Sequence, residues 1–288
     1  LPHELCKVCI TCGKCDIVIP MQLLDGKVAR ESFTQQLVTR VKGLSFTPCL
    51  VIIQVGERAD SDAFIKAKKS FAQKIGAKEL HVKLSEKVSQ EEVLEQVEKY
   101  NKDKSVQGII VQLPLPAHLD PDTIINAIDP EKDTDGLTIS TKYLPATARG
   151  VRDLLSFYTI QLKGKKVTVV GQSKLVGRPI STMCAKEGAF VTSCDSKTTN
   201  LSEKTKAADI LIVAIGKPRF VTKGYVKAGQ TVIDIGITRL DVGLTGDVDF
   251  EGVKDTVAAI TPVPGGVGQM TVLALFENLV DACYNQKY

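Results

Sequence analysis

The chain has 288 residues, 43% hydrophobic and 24% charged, with 37 Lys and Arg against 33 Asp and Glu for a formal net charge of +4. This usage excludes collagen, coiled coil and intrinsic disorder, and so slight a balance of scattered charge does not form the basic stripe that nucleic acid needs. No apolar run nears the roughly 18 residues of a membrane span, so neither nucleic acid nor membrane is an expected partner, and the length favours two domains.

The first segment carries Cys6, Cys9, Cys12 and Cys15 in C-K-V-C-I-T-C-G-K-C. Thiolates at this spacing ligate zinc or iron–sulfur clusters. The last gap is short for a ferredoxin run, however, and no Pro follows Cys15. Met21 opens M-Q-L-L-D-G-K, which reads as the start of a domain. Residues 1–20 are therefore expected to be a leader or poorly ordered extension, and no metal is expected. It has neither the basic start and long apolar centre of a signal peptide nor the composition of a transit peptide. Cys49, Cys184, Cys194 and Cys283 stand alone in apolar settings, as reduced core thiols of a cytoplasmic protein do.

Residues 48–55 predict a strand, 61–75 a helix stopped by Gly76, 80–84 a strand, 90–101 an amphipathic helix, 108–113 a buried strand and 121–128 a short helix. A helix over 149–158 leads into a second series, with strands at 166–170, 190–194, 210–215 and 231–237 and helices between the first three. The last helix, 270–284, follows the glycine-rich run at 264–268. Continuous Val/Ile runs separated by helices mean parallel strands covered on both faces. The fold class is α/β throughout, in two domains joined near residue 147.

Within the second series, the strand at 166–170 runs into G-Q-S-K-L-V-G at 171–177 and then a helix. A tight glycine turn of this kind lets backbone N–H groups and a helix N-terminus face a pyrophosphate. Asp195 ends the next strand 24 residues beyond Gly171, near the ~20-residue offset at which a carboxylate takes a ribose 2′-OH. The alternative is an ordinary loop acid after a strand. Turn and acid together point to a dinucleotide. An anionic Asp195 repels a 2′-phosphate and the turn offers neutral Gln172 in place of Arg, which favours NAD over NADP, although Lys197 lies close by.

In the first series, Phe64, Ala67, Phe71 and Ile75 recur at helical spacing and are expected to form the buried stripe. Lys68 falls about 40° from Phe64 on the wheel, inside that stripe, while Lys66, Lys69 and Lys74 point away. Such a lysine is either a snorkelling side chain or a buried amine of lowered pKa. Gln112 lies at the carboxyl end of a predicted parallel strand, the edge where open α/β sheets bind ligands. Asp135 lies in K-D-T-D-G at 132–136, where a solvated turn acid is the default.

Together these segments resemble the bifunctional methylenetetrahydrofolate dehydrogenase/cyclohydrolase family from about Met21 onward. The matching stretches are G-I-I-V-Q-L-P-L-P at 108–116, P-E-K-D-T-D-G-L at 130–137, G-Q-S-K-L-V-G-R-P at 171–179, G-D-V-D-F at 246–250 and T-P-V-P-G-G-V-G-Q-M-T at 261–271. The resemblance implies a folate-binding catalytic domain over 21–146, completed by the C-terminal helix 268–288, and a Rossmann-like parallel-sheet domain over 147–267 that binds NAD or NADP, with a cleft between them. It implies oxidation of 5,10-methylenetetrahydrofolate to the 5,10-methenyl form and hydrolysis of that product to 10-formyltetrahydrofolate. By family pattern Lys68 is the catalytic lysine, Gln112 orients it, and Asp135 accepts hydrogen bonds from the pterin. Phe64, Val111, Leu113, Pro264, Gly265, Gly268 and Val272 would line the folate; Gly171, Gln172, Ser173, Ser196 and Ile237, with Asp195, would line the cofactor. A homodimer is implied as well.

The sequence departs from the family at several points. Phe64 replaces the usual tyrosine four residues before the lysine, which is expected to weaken the cyclohydrolase more than the dehydrogenase. P-A-T-A-R-G at 145–150 replaces P-C-T-P-x-G, and Gln269 replaces a proline. Gln172 and Asp195 stand where Arg and His are usual, again favouring NAD. The alternatives are a dehydrogenase without the hydrolase and a catalytically silent folate- or nucleotide-binding homologue. The joint presence of Lys68, Gln112 and Asp135 argues against the silent form.

Overall fold

The computed structural model describes residues 21–240 and 243–286; Cys6, Cys9, Cys12 and Cys15, and with them the expected leader over 1–20, lie outside the described residues. After β1 (Gln22–Leu23), Asp25 caps helix α1 (Gly26–Lys42) by accepting the N–H groups of Lys27 and Val28. There follow β2 (Cys49–Val55), α2 (Ala59–Ile75), β3 (Lys78–Leu84), α3 (Gln90–Lys102), β4 (Gly108–Val111) and α4 (Pro121–Asn126). They build a first unit on a three-stranded parallel sheet of order β3-β2-β4. Every residue of β2 is buried, which is why it reads as a nearly unbroken apolar run.

Helix α5 (Ala146–Phe157) crosses to a second unit: β5 (Lys166–Val170), α6 (Gly177–Lys186), β6 (Phe190–Cys194), α7 (Leu201–Ala207), β7 (Ile210–Val213) and β8 (Thr231–Asp234). A hairpin of β9 (Thr238–Leu240) and β10 (Gly243–Thr245), the short α8 (Phe250–Val253), β11 (Ala259–Ile260) and α9 (Val267–Asn285) complete the described chain. The second sheet is parallel, in the order β1-β11-β8-β7-β5-β6. Gln22 and Leu23 thus pair into the second sheet although they precede the first unit in sequence. Helix α9 returns to the first unit and packs on α1, α2 and α5. Gly108 permits that return, since a Cβ there would lie 2.6 Å from Thr134 Cγ2 and 2.8 Å from Leu279 Cδ1.

Several expectations need correction. Phe64 and Ala67 are exposed toward the cleft, and the buried stripe of α2 is Ser61, Ile65, Phe71, Ala72 and Ile75. The strands expected to run to 113, 215 and 237 stop at Val111, Val213 and Asp234. Helix α1 carries no clear helical period in sequence, because its buried side chains reduce to Ala29, Thr34, Leu37 and Val41 among many polar residues. The hairpin and the two-residue strands β1 and β11 also lack a pattern long enough to read. Cys49, Cys184, Cys194 and Cys283 are free and buried, and burial pushes the Cys184 and Cys283 thiols up to about 12.

Candidate active site

Lys68 occupies the i, i+4, i+7 face of α2 set by Ser61 and Ile65, so its stem enters the molecule with the core residues. Its Nζ donates to Gln112 Oε1 at 2.8 Å. Gln112 is held in turn: its backbone N–H donates to Ile53 O at 2.8 Å, and its Nε2 to Leu113 O at 2.9 Å. With the amide nitrogen committed to a carbonyl, the side-chain oxygen must face the lysine. Burial lowers the pKa of Lys68 from its usual range, opposed by the nearby Asp135 charge.

Asp135 reaches the same place through a loop organised by Asp133, a residue not singled out in the sequence. The buried Asp133 carboxylate accepts the N–H groups of Gly136 at 3.0 Å, Leu137 at 3.2 Å and Thr138 at 2.8 Å. Gly136 has φ +73°, and a Cβ there would lie 2.8 Å from Pro145, so the turn requires glycine. Burial raises the Asp135 carboxyl above the usual range; Lys68 lowers it and Asp133 raises it further. Asp135 is therefore not the solvated turn acid of the default expectation.

Phe64, Lys68, Gln112, Leu113, Asp135, Gly268 and Val272 line one cavity of about 380 Å³, closed from the second unit by Val176, Ile235 and Ile237. That is the size of an ordinary small-molecule site. A second cavity of about 390 Å³ adjoins it, sharing Phe64, Ile237, Gly268 and Val272 and adding Pro264 and Gly265. Val111 lines neither; its side chain belongs to the core around β2 and β4. Thr147, Thr271 and Leu275 also line the first cavity; Thr147 and Thr271 lie in stretches compared with the family above, and Leu275 follows no distinguishing pattern in sequence.

On the second unit, Gly171 follows β5 with φ +101°, and a Cβ there would lie 2.0 Å from Ala214 O. A Cβ on Gly177 would lie 1.8 Å from Gly171 O. These two glycines let the turn close on β7 and α6 close on the turn, the tight geometry of dinucleotide sites. Ser173 is exposed on that turn, and Asp195 and Ser196 are exposed beyond β6. The Asp195 carboxylate accepts Lys197 N–H at 2.9 Å and Thr198 Oγ1 at 3.1 Å. These bonds hold its pKa below the usual value. Gln172 Nε2 is turned inward, donating to Gly171 O at 3.0 Å and Ser181 Oγ at 3.2 Å. Ile237, beyond the end of β8, borders both cavities.

Fold and site define a class: a two-domain α/β protein whose parallel-sheet domain presents a dinucleotide turn beside a lysine-bearing cleft. Family models match both parts, the tetrahydrofolate dehydrogenase/cyclohydrolase catalytic domain over 24–135 and the NAD(P)-binding domain of the same family over 145–287. The chain is 44% identical over 273 residues to the bifunctional protein FolD of Agathobacter rectalis, covering 90% of this chain and 98% of that protein. The crystal structure of the bifunctional methylenetetrahydrofolate dehydrogenase/cyclohydrolase FolD from Campylobacter jejuni is similar, with TM-score 0.89 and 40% identity over 93% of this chain and 100% of that one. A Trypanosoma brucei FolD complexed with NADP and an inhibitor gives TM-score 0.87 at 32% identity, covering 92% and 98%. The chain belongs to the tetrahydrofolate dehydrogenase/cyclohydrolase family.

Proposed function

We propose that this chain oxidises 5,10-methylenetetrahydrofolate to 5,10-methenyltetrahydrofolate with a nicotinamide cofactor and hydrolyses the product to 10-formyltetrahydrofolate. The observation that carries the assignment is the Lys68–Gln112 hydrogen bond of 2.8 Å in a cavity that also holds Asp135 and faces the dinucleotide turn. A dinucleotide whose pyrophosphate lay on the turn from Gly171 to Gly177 would supply the hydride acceptor from its nicotinamide ring. The protein's part in this step is to hold two carbons in register, which the facing walls Phe64 and Ile237 support.

In the hydrolytic step, water adds to the methenyl carbon and one of its protons passes to the Lys68 amine; the burial that lowers this pKa favours the amine as acceptor. The ammonium then returns that proton to the pterin nitrogen N5 as the carbon–N5 bond breaks; the hydroxyl's remaining proton passes to the amine and on to solvent as the C=O of the N10 formyl group forms, so one proton is released overall. Gln112 fixes the amine's direction throughout. Asp135 accepts N–H donors of the pterin; when those bonds form they favour its ionised state.

NAD is the proposed preference. Asp195 is exposed and ionised where the adenosine ribose would sit, and Gln172 offers no cation toward a 2′-phosphate. A homodimer in the cytoplasm is also proposed. The free thiols support an intracellular setting, and β6 leaves an open sheet edge for a second copy, with Phe190 69% exposed. Among the described residues no helix is long and apolar enough to cross a membrane.

The test is to follow reduced cofactor and methenyl-folate separately, with NAD and with NADP. Lys68→Gln is expected to lower hydrolysis by about 10²-fold or more while the dehydrogenase loses far less. Equal losses in both activities would refute the lysine's assigned step, and a clear preference for NADP would refute the cofactor assignment.

A further inference from the structure

The second cavity has a rim unlike the first. Arg30, on α1, enters it with its side chain half-buried, and its Nε is buried with no hydrogen-bond partner. The guanidinium carbon lies 5.6 Å from the centre of the Phe71 ring, which holds it in place. Its acidic neighbour Glu31 is engaged by Lys74. Arg239, exposed on the β9–β10 hairpin, lines the same cavity. The lining carboxylate among the described residues is Asp234. Its oxygens already accept the backbone N–H groups of Gly236 at 2.9 Å, Asp247 at 3.0 Å and Val248 at 2.8 Å. Burial also pushes Asp234 up to about 7, reducing the negative charge it carries at neutral pH.

A buried N–H without an acceptor is costly and calls for a partner. The planar fork of an arginine matches the two oxygens of a carboxylate in a bidentate pair. The cavity's remaining walls are largely apolar, among them Ala63, Ala67, Leu244 and Val263. Phe64 belongs to both cavities. With a pterin at Lys68 and Asp135 and an aminobenzoyl ring on Phe64, the next atoms of a folate would be an amide and two carboxylates, and the space open to them beyond Phe64 is this adjoining cavity.

We propose that Arg30 and Arg239 bind the glutamyl carboxylates of the substrate and so make this enzyme selective for glutamylated over tail-less folates, an inference that rests on the folate assignment above. The experiment compares the dehydrogenase KM for 5,10-methylenetetrahydrofolate with that for 5,10-methylenetetrahydropteroate, which lacks the glutamate. The unaltered chain is expected to favour the glutamylated substrate by on the order of tenfold. Arg30→Gln and Arg239→Gln are each expected to shrink that ratio to about a third or less, the effect falling on KM, and Arg30→Lys to retain more of it than Arg30→Gln. Because Arg239 is exposed, its variant reports on the tail even if Arg30→Gln perturbs folding. A ratio near unity in the unaltered chain, or one that neither glutamine variant moves, overturns the proposal while leaving the folate assignment standing. No turnover of either substrate overturns both.

Discussion

Lys68 and Phe64 lie one helical turn apart on α2 and open into the same cavity. The lysine was legible because a cation among apolar positions breaks the pattern that burial demands. Phe64 escapes that reading for the opposite reason: an apolar residue satisfies the core pattern equally well when it lines a cleft. The ring still offers a face to an aromatic substrate, but it has no hydroxyl to hydrogen-bond the amine or the water beside it. Phe64→Tyr is expected to raise hydrolysis about 2–10-fold, the worth of one added hydrogen bond, with a smaller change in the dehydrogenase. Loss of methenyl-folate absorbance measures it, and a variant slower than the parent would sink the idea.

At the scale of the element, the strands of both sheets end where the site begins. Gln112, Ile235 and Ile237 all lie one to three residues past a strand end, where side chains leave the sheet and turn into the cleft. Their apolar neighbours made the runs at 108–113, 210–215 and 231–237 look like longer strands, because hydrophobic periodicity does not separate a core wall from a cleft wall. The loop carrying Asp135 depends on a different device, the three N–H groups gathered by Asp133. Asp133→Ala leaves those donors without their acceptor and is expected to cost about 3 kcal/mol or more in urea unfolding. It should also raise the folate KM, since Asp135 loses its support. A stability within about 0.5 kcal/mol of the parent would be the behaviour of an ordinary surface position instead.

Over the whole molecule, two kinds of contact join the units. Lys174 on the dinucleotide turn pairs with Asp122 on α4 at 2.7 Å, but their side chains are 48% and 60% exposed. Arg149 on α5 pairs with Glu277 on α9 at 3.0 Å, with exposures of only 15% and 13%, and also engages Asp281 and Asn278. Burial pushes Glu277 up to about 7 against the pull of Arg149. Lys174→Ala is therefore expected to change stability by less than about 1 kcal/mol, whereas Arg149→Ala should cost about 3–5 kcal/mol by stranding a buried carboxylate. That cost should grow as pH rises through the Glu277 value of about 7, because only the ionised carboxylate needs the guanidinium. Denaturation of the two variants across pH separates the cases. A loss for Arg149→Ala no larger than that for Lys174→Ala would show that the α5–α9 clamp is dispensable.

By itself, the sequence determined the α/β class, the parallel strands, the odd lysine and the glycine turn, all of which depend on spacing within one segment. Only the tertiary structure decided that Gln22 and Leu23 join the second sheet, that α9 returns to cover the first, and that Arg30 faces a cavity shared with residues more than 200 positions away. Those outcomes follow from which surfaces meet when two units pack through α5 and α9. A contact between distant segments leaves no period in either of them.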